Sequence, residues 1–199
     1  LASLESVTWV LRELAIVLAG GMVLQIYFAA AVMAGDRVAN TAGLGLAAQV
    51  DPATGSQTPV IGQFFMLFLL AIFVAADGHL LAIRLVLESY TLLPPGRPGL
   101  GAPLIQDGLD ATGEMFRVAV RLMMPVVSVL ILLNFVIGVI TRSSPQLNIF
   151  AFGFPLTMTV TLLLLFLTTV ILGDALLDHM AQALQHLAEM LGGGANGRE

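Results

Sequence analysis

The chain has 199 residues, of which 58% are hydrophobic and 11% charged, where a soluble domain carries roughly 25% charged residues. That leaves too little polar surface for a soluble domain of this length, so the chain belongs in lipid or inside a larger assembly. Its basic residues are all arginine, and the net charge of −5 excludes the basic face that a nucleic-acid binder needs to neutralise phosphates. The lack of cysteine excludes disulfides, thiol catalysis and cysteine metal sites.

Charge-free runs mark the elements. No charge occurs in 14–35, 52–76, 122–141 or 143–173, and each run matches the roughly 20 apolar residues that a helix needs to cross a bilayer. The pattern predicts four hydrophobic helices at about 12–35, 59–93, 109–141 and 146–173, then a shorter amphipathic helix at 174–191. The first run is too long for a signal peptide, and Arg12 is offset by Glu5 and Glu13. Arg37, Arg97 and Arg142 favour neither side of a membrane, as expected where neighbouring subunits place the helices. Residue 1 is leucine, and the chain is read as incomplete at its N-terminus.

The connections differ in kind. Residues 38–58 form a predicted loop rich in Gly, Ala and Thr, yet mildly apolar through Leu44, Leu46 and Val50. Long loops without structure of their own are often functional, and an apolar one points to a segment packed inside something. Pro94-Pro95-Gly96-Arg97-Pro98-Gly99-Leu100-Gly101-Ala102-Pro103 reads as a helix-breaking linker, dividing 1–93 from 104–191. Arg142-Ser143-Ser144-Pro145 reads as the turn of a helical hairpin. Gly192-Gly193-Gly194 ends the last helix, and 192–199 reads as a disordered tail.

The polar residues offer little chemistry. Asp110, Glu114, Arg117 and Arg121 share a helix face with acid preceding base, the pattern of a solvated, self-paired stripe or of a subunit contact. Asp77-Gly78-His79 sits at the edge of an apolar run, where a polar rim or a kink is favoured over a proton relay. His179 and His186 are seven residues apart with no third ligand nearby and read as a solvent-facing stripe. Pro125 and Pro155 are read as bending the interiors of apolar helices. In the last helix Asp174, Asp178, Gln182, Gln185 and Glu189 oppose Leu177, Met180, Leu184, Leu187 and Leu191. An interfacial lipid-binding helix carries basic residues on its polar face; this one has carboxylates, so its apolar face, Leu177 and Leu184 included, is assigned to protein contact. No nucleophile elbow, Walker loop or zinc-protease motif occurs, so the chain reads as non-enzymatic, without cofactor or metal, and any energy must come from partners.

The motifs Asp51-Pro52, Pro59-Val60, Phe68-Leu69-Leu70, Asp77-Gly78-His79-Leu80, Arg121-Leu122-Met123-Met124-Pro125-Val126, Asn134 and Gly138 resemble the FliR family of flagellar export-gate proteins. Pro145-Gln146-Leu147-Asn148-Ile149-Phe150 with Gly153-Phe154-Pro155-Leu156 is the most specific part of that resemblance, which covers about 15–190. It implies an all-α, membrane-associated fold of hydrophobic hairpins with kinked helices, taking its place in a helical export-gate assembly. The implied partners are FliP-like, FliQ-like and FlhB-like subunits, membrane lipid, and exported unfolded flagellar proteins, in the bacterial inner membrane at the flagellar basal body. The family's N-terminal part resembles FliP and its C-terminal hairpin FliQ, matching the division at 94–103. The family also has a further hydrophobic segment before the one at 12–35.

The resemblance makes the apolar loop a pore plug, formed by Gly43, Leu44, Gly45, Leu46, Ala47, Gln49, Val50, Asp51 and Pro52. Glycines let such a segment rearrange, and its apolar side chains exclude water from a narrow pore. Asn40-Thr41-Ala42 departs from the family's Gly-Leu-Gln before this stretch. Pro145, Gln146, Asn148, Phe150, Phe154 and Pro155 are implied as further subunit contacts. Two alternatives stand beside this reading: the homologous SctT-type subunit of a virulence injectisome, and a stand-alone secondary transporter. The latter would need buried charges between helices and preferably internal repeats, which the charge-free runs disfavour.

Overall fold

The computed structural model describes residues 4–44, 60–92, 101–144 and 152–192. Its elements are α1 (Leu4–Thr41), α2 (Val60–Ala75), α3 (Gly78–Leu92), α4 (Gly101–Ser143) and α5 (Phe154–Gly192), with no strand among the described residues. Val7–Thr41, Gly108–Ser143 and Phe154–Met190 are each long and apolar enough to cross a membrane, and the bent pair α2–α3 makes a possible fourth span. The chain is an all-α membrane protein. Only 29%, 17% and 17% of the three spanning windows is buried by the chain itself. The apolar surface left over, with Phe135, Phe166 and Val170 among its most exposed side chains, must be covered by lipid or other chains.

Helix boundaries differ from the sequence expectation at five places, the first being the start of α1 at Leu4 instead of about residue 12. Residues 38–41, expected in the loop, continue α1, because Val38, Ala39 and Ala42 prolong its buried stripe. Gly101-Ala102-Pro103, expected in the linker, opens α4; proline is tolerated there because first-turn N–H groups have no partner within the helix. Pro155, expected in a helix interior, is the second residue of α5 and stands where it breaks no bond. The separate amphipathic helix at 174–191 is the second half of α5, which runs unbroken through Gly173-Asp174. Pro125 does lie inside α4.

The expected kink at Asp77 is present: α2 and α3 meet at 68°. Asp77 has φ 55°, a left-handed conformation that aspartate tolerates better than most residues. Its carbonyl accepts bonds from Leu80 N and Leu81 N at 3.0 and 3.1 Å, so one residue ends one helix and begins the next. Gly78 follows because a Cβ there would stand 2.6 Å from Phe73 Cδ2. Asp77→Gly should leave thermal stability in detergent unchanged or slightly raised, whereas Asp77→Val should lower it by about 1–2 kcal/mol. Equal melting temperatures for the two variants would remove the conformational argument.

The chain packs as two compact units, the first from described residues of 1–29, 69–116 and 177–199 and the second from those of 30–68 and 117–176. Each draws on both sides of the 94–103 segment, and α1, α4 and α5 contribute to both. The first unit centres on Val23, Tyr27, Ala111, Ala183, Leu187 and Met190, flanked by Ala82, Leu85 and Val86 of α3. In the second, Phe65, Leu122, Val126, Leu130 and Thr161 are buried.

Candidate functional site

The candidate site is the end of α1, from which the segment assigned as plug departs. The last carbonyls of a helix lack partners within it. Here the ending is tight: Ala42 N donates to Val38 O at 2.9 Å and Gly43 N to Asn40 O at 3.1 Å. Gly43 adopts φ 85°, the left-handed cap that glycine takes without steric penalty. Thr41 Oγ1 turns back to Arg37 O at 2.7 Å.

Side chains of two other helices reach the freed carbonyls. Asn134 Nδ2 of α4 donates to Thr41 O at 2.9 Å. Thr157 Oγ1 of α5 lies 3.1 Å from Ala42 O and 3.0 Å from Phe154 O. Thr157 is 5% exposed and in turn offers its own carbonyl to Thr161 Oγ1 at 2.6 Å. Consecutive carbonyls of one helix end are thus satisfied by an amide and a hydroxyl from separate helices.

Beneath this ending α1 and α2 cross in backbone contact. A Cβ on Gly35 would lie 2.6 Å from Gly62 Cα and 2.7 Å from Ile61 O, and one on Gly62 would collide with the Asp36 carboxylate. Ala30, Ala31 and Ala34, just before Gly35 in α1, are fully buried, and small residues let membrane helices approach closely. Asp36 Oδ1 is buried without a hydrogen-bond partner.

Of the residues assigned to the plug, Gly43 is the cap and Leu44 is half-buried beside it. Gly45, Leu46, Ala47, Gln49, Val50, Asp51 and Pro52 lie outside the described residues, as do Pro145, Gln146, Asn148 and Phe150. Phe154 is half-buried and Pro155 exposed at the start of α5. Leu177 is 43% exposed, whereas Leu184 is 6% exposed and packed within the chain; only the former is available to another subunit.

The expected solvent stripe at His179 is corrected. His179 is 2% exposed, its Nε2–H donates to the Tyr27 carbonyl at 2.9 Å, and its ring stacks on Tyr27 with centroids 4.9 Å apart. Leu172, Leu176, His179, Ala183, Leu187 and Met190 form the buried stripe of α5 at helical spacing, so its inner face passes through position 179. Asp110, Arg117 and Arg121 are exposed. Arg84 Nε pairs with Glu88 Oε1 at 2.7 Å on the exposed face of α3. No group of three or more metal-ligating side chains occurs among the described residues.

Asn134 was read from the sequence only as a motif residue of the FliR resemblance, without an assigned role. Thr157 carried no signal, since threonines recur along α5 and most bond the carbonyl one turn back.

The family model described as "Bacterial export proteins, family 1" matches residues 2–183. The chain belongs to this family. Flagellar biosynthetic protein FliR of Escherichia coli (strain K12) is 34% identical over 149 residues, covering 75% of this chain and 57% of that protein. FliR of Pectobacterium carotovorum subsp. carotovorum is 30% identical over 163 residues, covering 82% and 62%. The secretion system apparatus protein SsaT of Salmonella typhimurium is 29% identical over 114 residues, covering 57% and 44%. The FliR resemblance read from the motifs is borne out, and a secretion-system apparatus protein matches part of the same chain. The chain spans about 57–62% of the length of the two FliR proteins.

Proposed function

We propose that this chain is a core subunit of a flagellar type III protein export gate in the bacterial inner membrane, where it lines and closes the channel for unfolded flagellar proteins. Its role is structural and gating, with no catalytic step of its own. FliP-like and FliQ-like subunits, with an FlhB-like one, are the partners proposed to cover the apolar faces of α4 and α5; the 1–93 part is the FliP-like half and the 104–191 hairpin the FliQ-like one. Residues 43–52 are the plug, and Pro145, Gln146, Asn148, Phe150, Phe154, Pro155 and Leu177 are assigned to subunit contact. The observation that carries the reading is the match of the export family along residues 2–183. The firmly capped departure point at Thr41, Ala42 and Gly43 supports the gating part. The same role in an injectisome is the second reading, favoured by the SsaT match; the FliR matches extend over more of the chain.

Deleting residues 43–50 in the full-length protein should leave complex assembly intact and render the membrane permeable to small molecules. Unchanged permeability in an assembled complex would sink the plug assignment. Restoration of motility in a strain lacking its own FliR, without restoration of injectisome secretion, separates the two branches.

A further inference from the structure

We propose that Asn134 and Thr157 are positioning residues of the gate, a two-point latch through which α4 and α5 hold the end of α1 in its closed position. This rests on the gating role assigned to the segment that follows, and adds how that segment's root is held and released. Asn134 and Thr157 stand 93 and 115 residues from the carbonyls they engage. Neither bond can therefore form by local helix geometry, and both require the tertiary packing of α1 against α4 and α5. They engage adjacent groups, Thr41 O and Ala42 O, so a displacement of α1's end that breaks one strains the other.

The chemistry suits a releasable contact. Both donors are neutral, so release leaves no bare charge in an apolar setting. Thr157 keeps a second acceptor in Phe154 O at 3.0 Å, so its hydroxyl remains satisfied after letting go. Gly43, with φ 85°, is the joint at which the chain turns away from the held carbonyls. A pull on the following segment thus loads these two hydrogen bonds together with the turn bonds of Ala42 N and Gly43 N to α1.

Thr157→Val removes the hydroxyl and Asn134→Leu the amide, each with little change of shape, while Thr157→Ser keeps the donor. These 199 residues contain no cysteine, so Leu44→Cys is their single spin-label site next to the joint, and any cysteine elsewhere in the full-length subunit is replaced by serine. In full-length protein assembled with its partners, two quantities are read: label mobility at position 44 and dye leak through the closed complex. Thr157→Val or Asn134→Leu should raise the mobile fraction and the leak about fivefold each, since a hydrogen bond of typical net strength shifts a two-state equilibrium by about that factor. Thr157→Ser should match the parent, and all variants should recover partners normally. Unchanged label mobility in both variants overturns the latch, whatever the leak. Raised mobility without added leak, in a complex that does leak when 43–50 is deleted, overturns its role in gating. If that deletion causes no leak, the plug reading itself fails, and the mobility result alone decides whether the two side chains hold α1's end.

Discussion

The Gly35→Val substitution should abolish recovery of the folded chain from detergent-solubilised membranes, a larger effect than any other single change at the α1–α2 crossing. A Cβ at position 35 would meet Gly62 Cα at 2.6 Å, Gly62 N at 2.7 Å and Ile61 O at 2.7 Å. All three are backbone atoms, so no rotamer change relieves the collision and the helices must separate. Overpacking a close-packed interior costs about 1–3 kcal/mol and sometimes more, and a β-branched side chain with no free direction falls at the upper end. Folded proteins hold only about 5–15 kcal/mol in reserve. Gly62→Ala should be milder, because its Cβ first meets the movable Asp36 side chain and only then Val32 O at 3.1 Å. Gly138 has nothing within 4 Å of its Cβ position, so Gly138→Ala should be neutral or stabilising by up to about 1 kcal/mol through helix propensity. Size-exclusion profiles and melting temperatures rank the three. A Gly35→Val chain that elutes and melts like the parent would mean that α1 and α2 do not cross as described.

That crossing also shows what one sequence can reveal. The hydrophobic helices were legible because a bilayer-length segment must shed its charges, and the empty intervals overlap α1, α2, α4 and α5. The kink at Asp77 was legible because an acid, a glycine and a histidine interrupt an apolar run. What charge marks less well is where a helix ends. Asp174 looked like a boundary, yet α5 continues through it because the buried stripe from Leu172 through His179 to Met190 keeps its period. Loop composition misled in the same way: Gly, Ala and Thr near residue 38 suggested a connection, while Val38, Ala39 and Ala42 were still packing as helix. The partners of Gly35, Asn134 and Thr157 were out of reach for a different reason. Their contacts join residues 27, 93 and 115 positions apart, and periodicity reports which face is buried without saying what it is buried against. His179 was misassigned on the same account, since a histidine beside Asp178 looks solvated until Tyr27 of α1 is placed over it.

The paired variants Leu177→Glu and Leu184→Glu should part company, although the sequence pattern placed both leucines on the side of α5 opposite its carboxylates. Leu184 is 6% exposed, next in sequence to Ala183 of the first unit's core. A carboxylate there would be buried without a designated partner, which costs several kcal/mol or forces the helix to turn outward. Leu184→Glu should therefore lower the melting temperature of the chain itself by 10 °C or more, about 2–4 °C being lost per kcal/mol in a chain of this size. Membrane yield should drop with it. Leu177, 43% exposed between the exposed Asp174 and Asp178, has room for a charge, so Leu177→Glu should stay within about 0.5 kcal/mol of the parent and remain in the membrane. If this face meets another subunit, the third carboxylate should instead strip partners from the complex, because a buried unpaired charge at an interface is as costly as one in a core. Leu177→Gln, polar but uncharged, should lose less partner than Leu177→Glu. Full recovery of partners with Leu177→Glu would move the contact off this part of α5. A normal melting temperature for Leu184→Glu would contradict its burial within the chain, and would return that leucine to the surface on which the sequence first placed it.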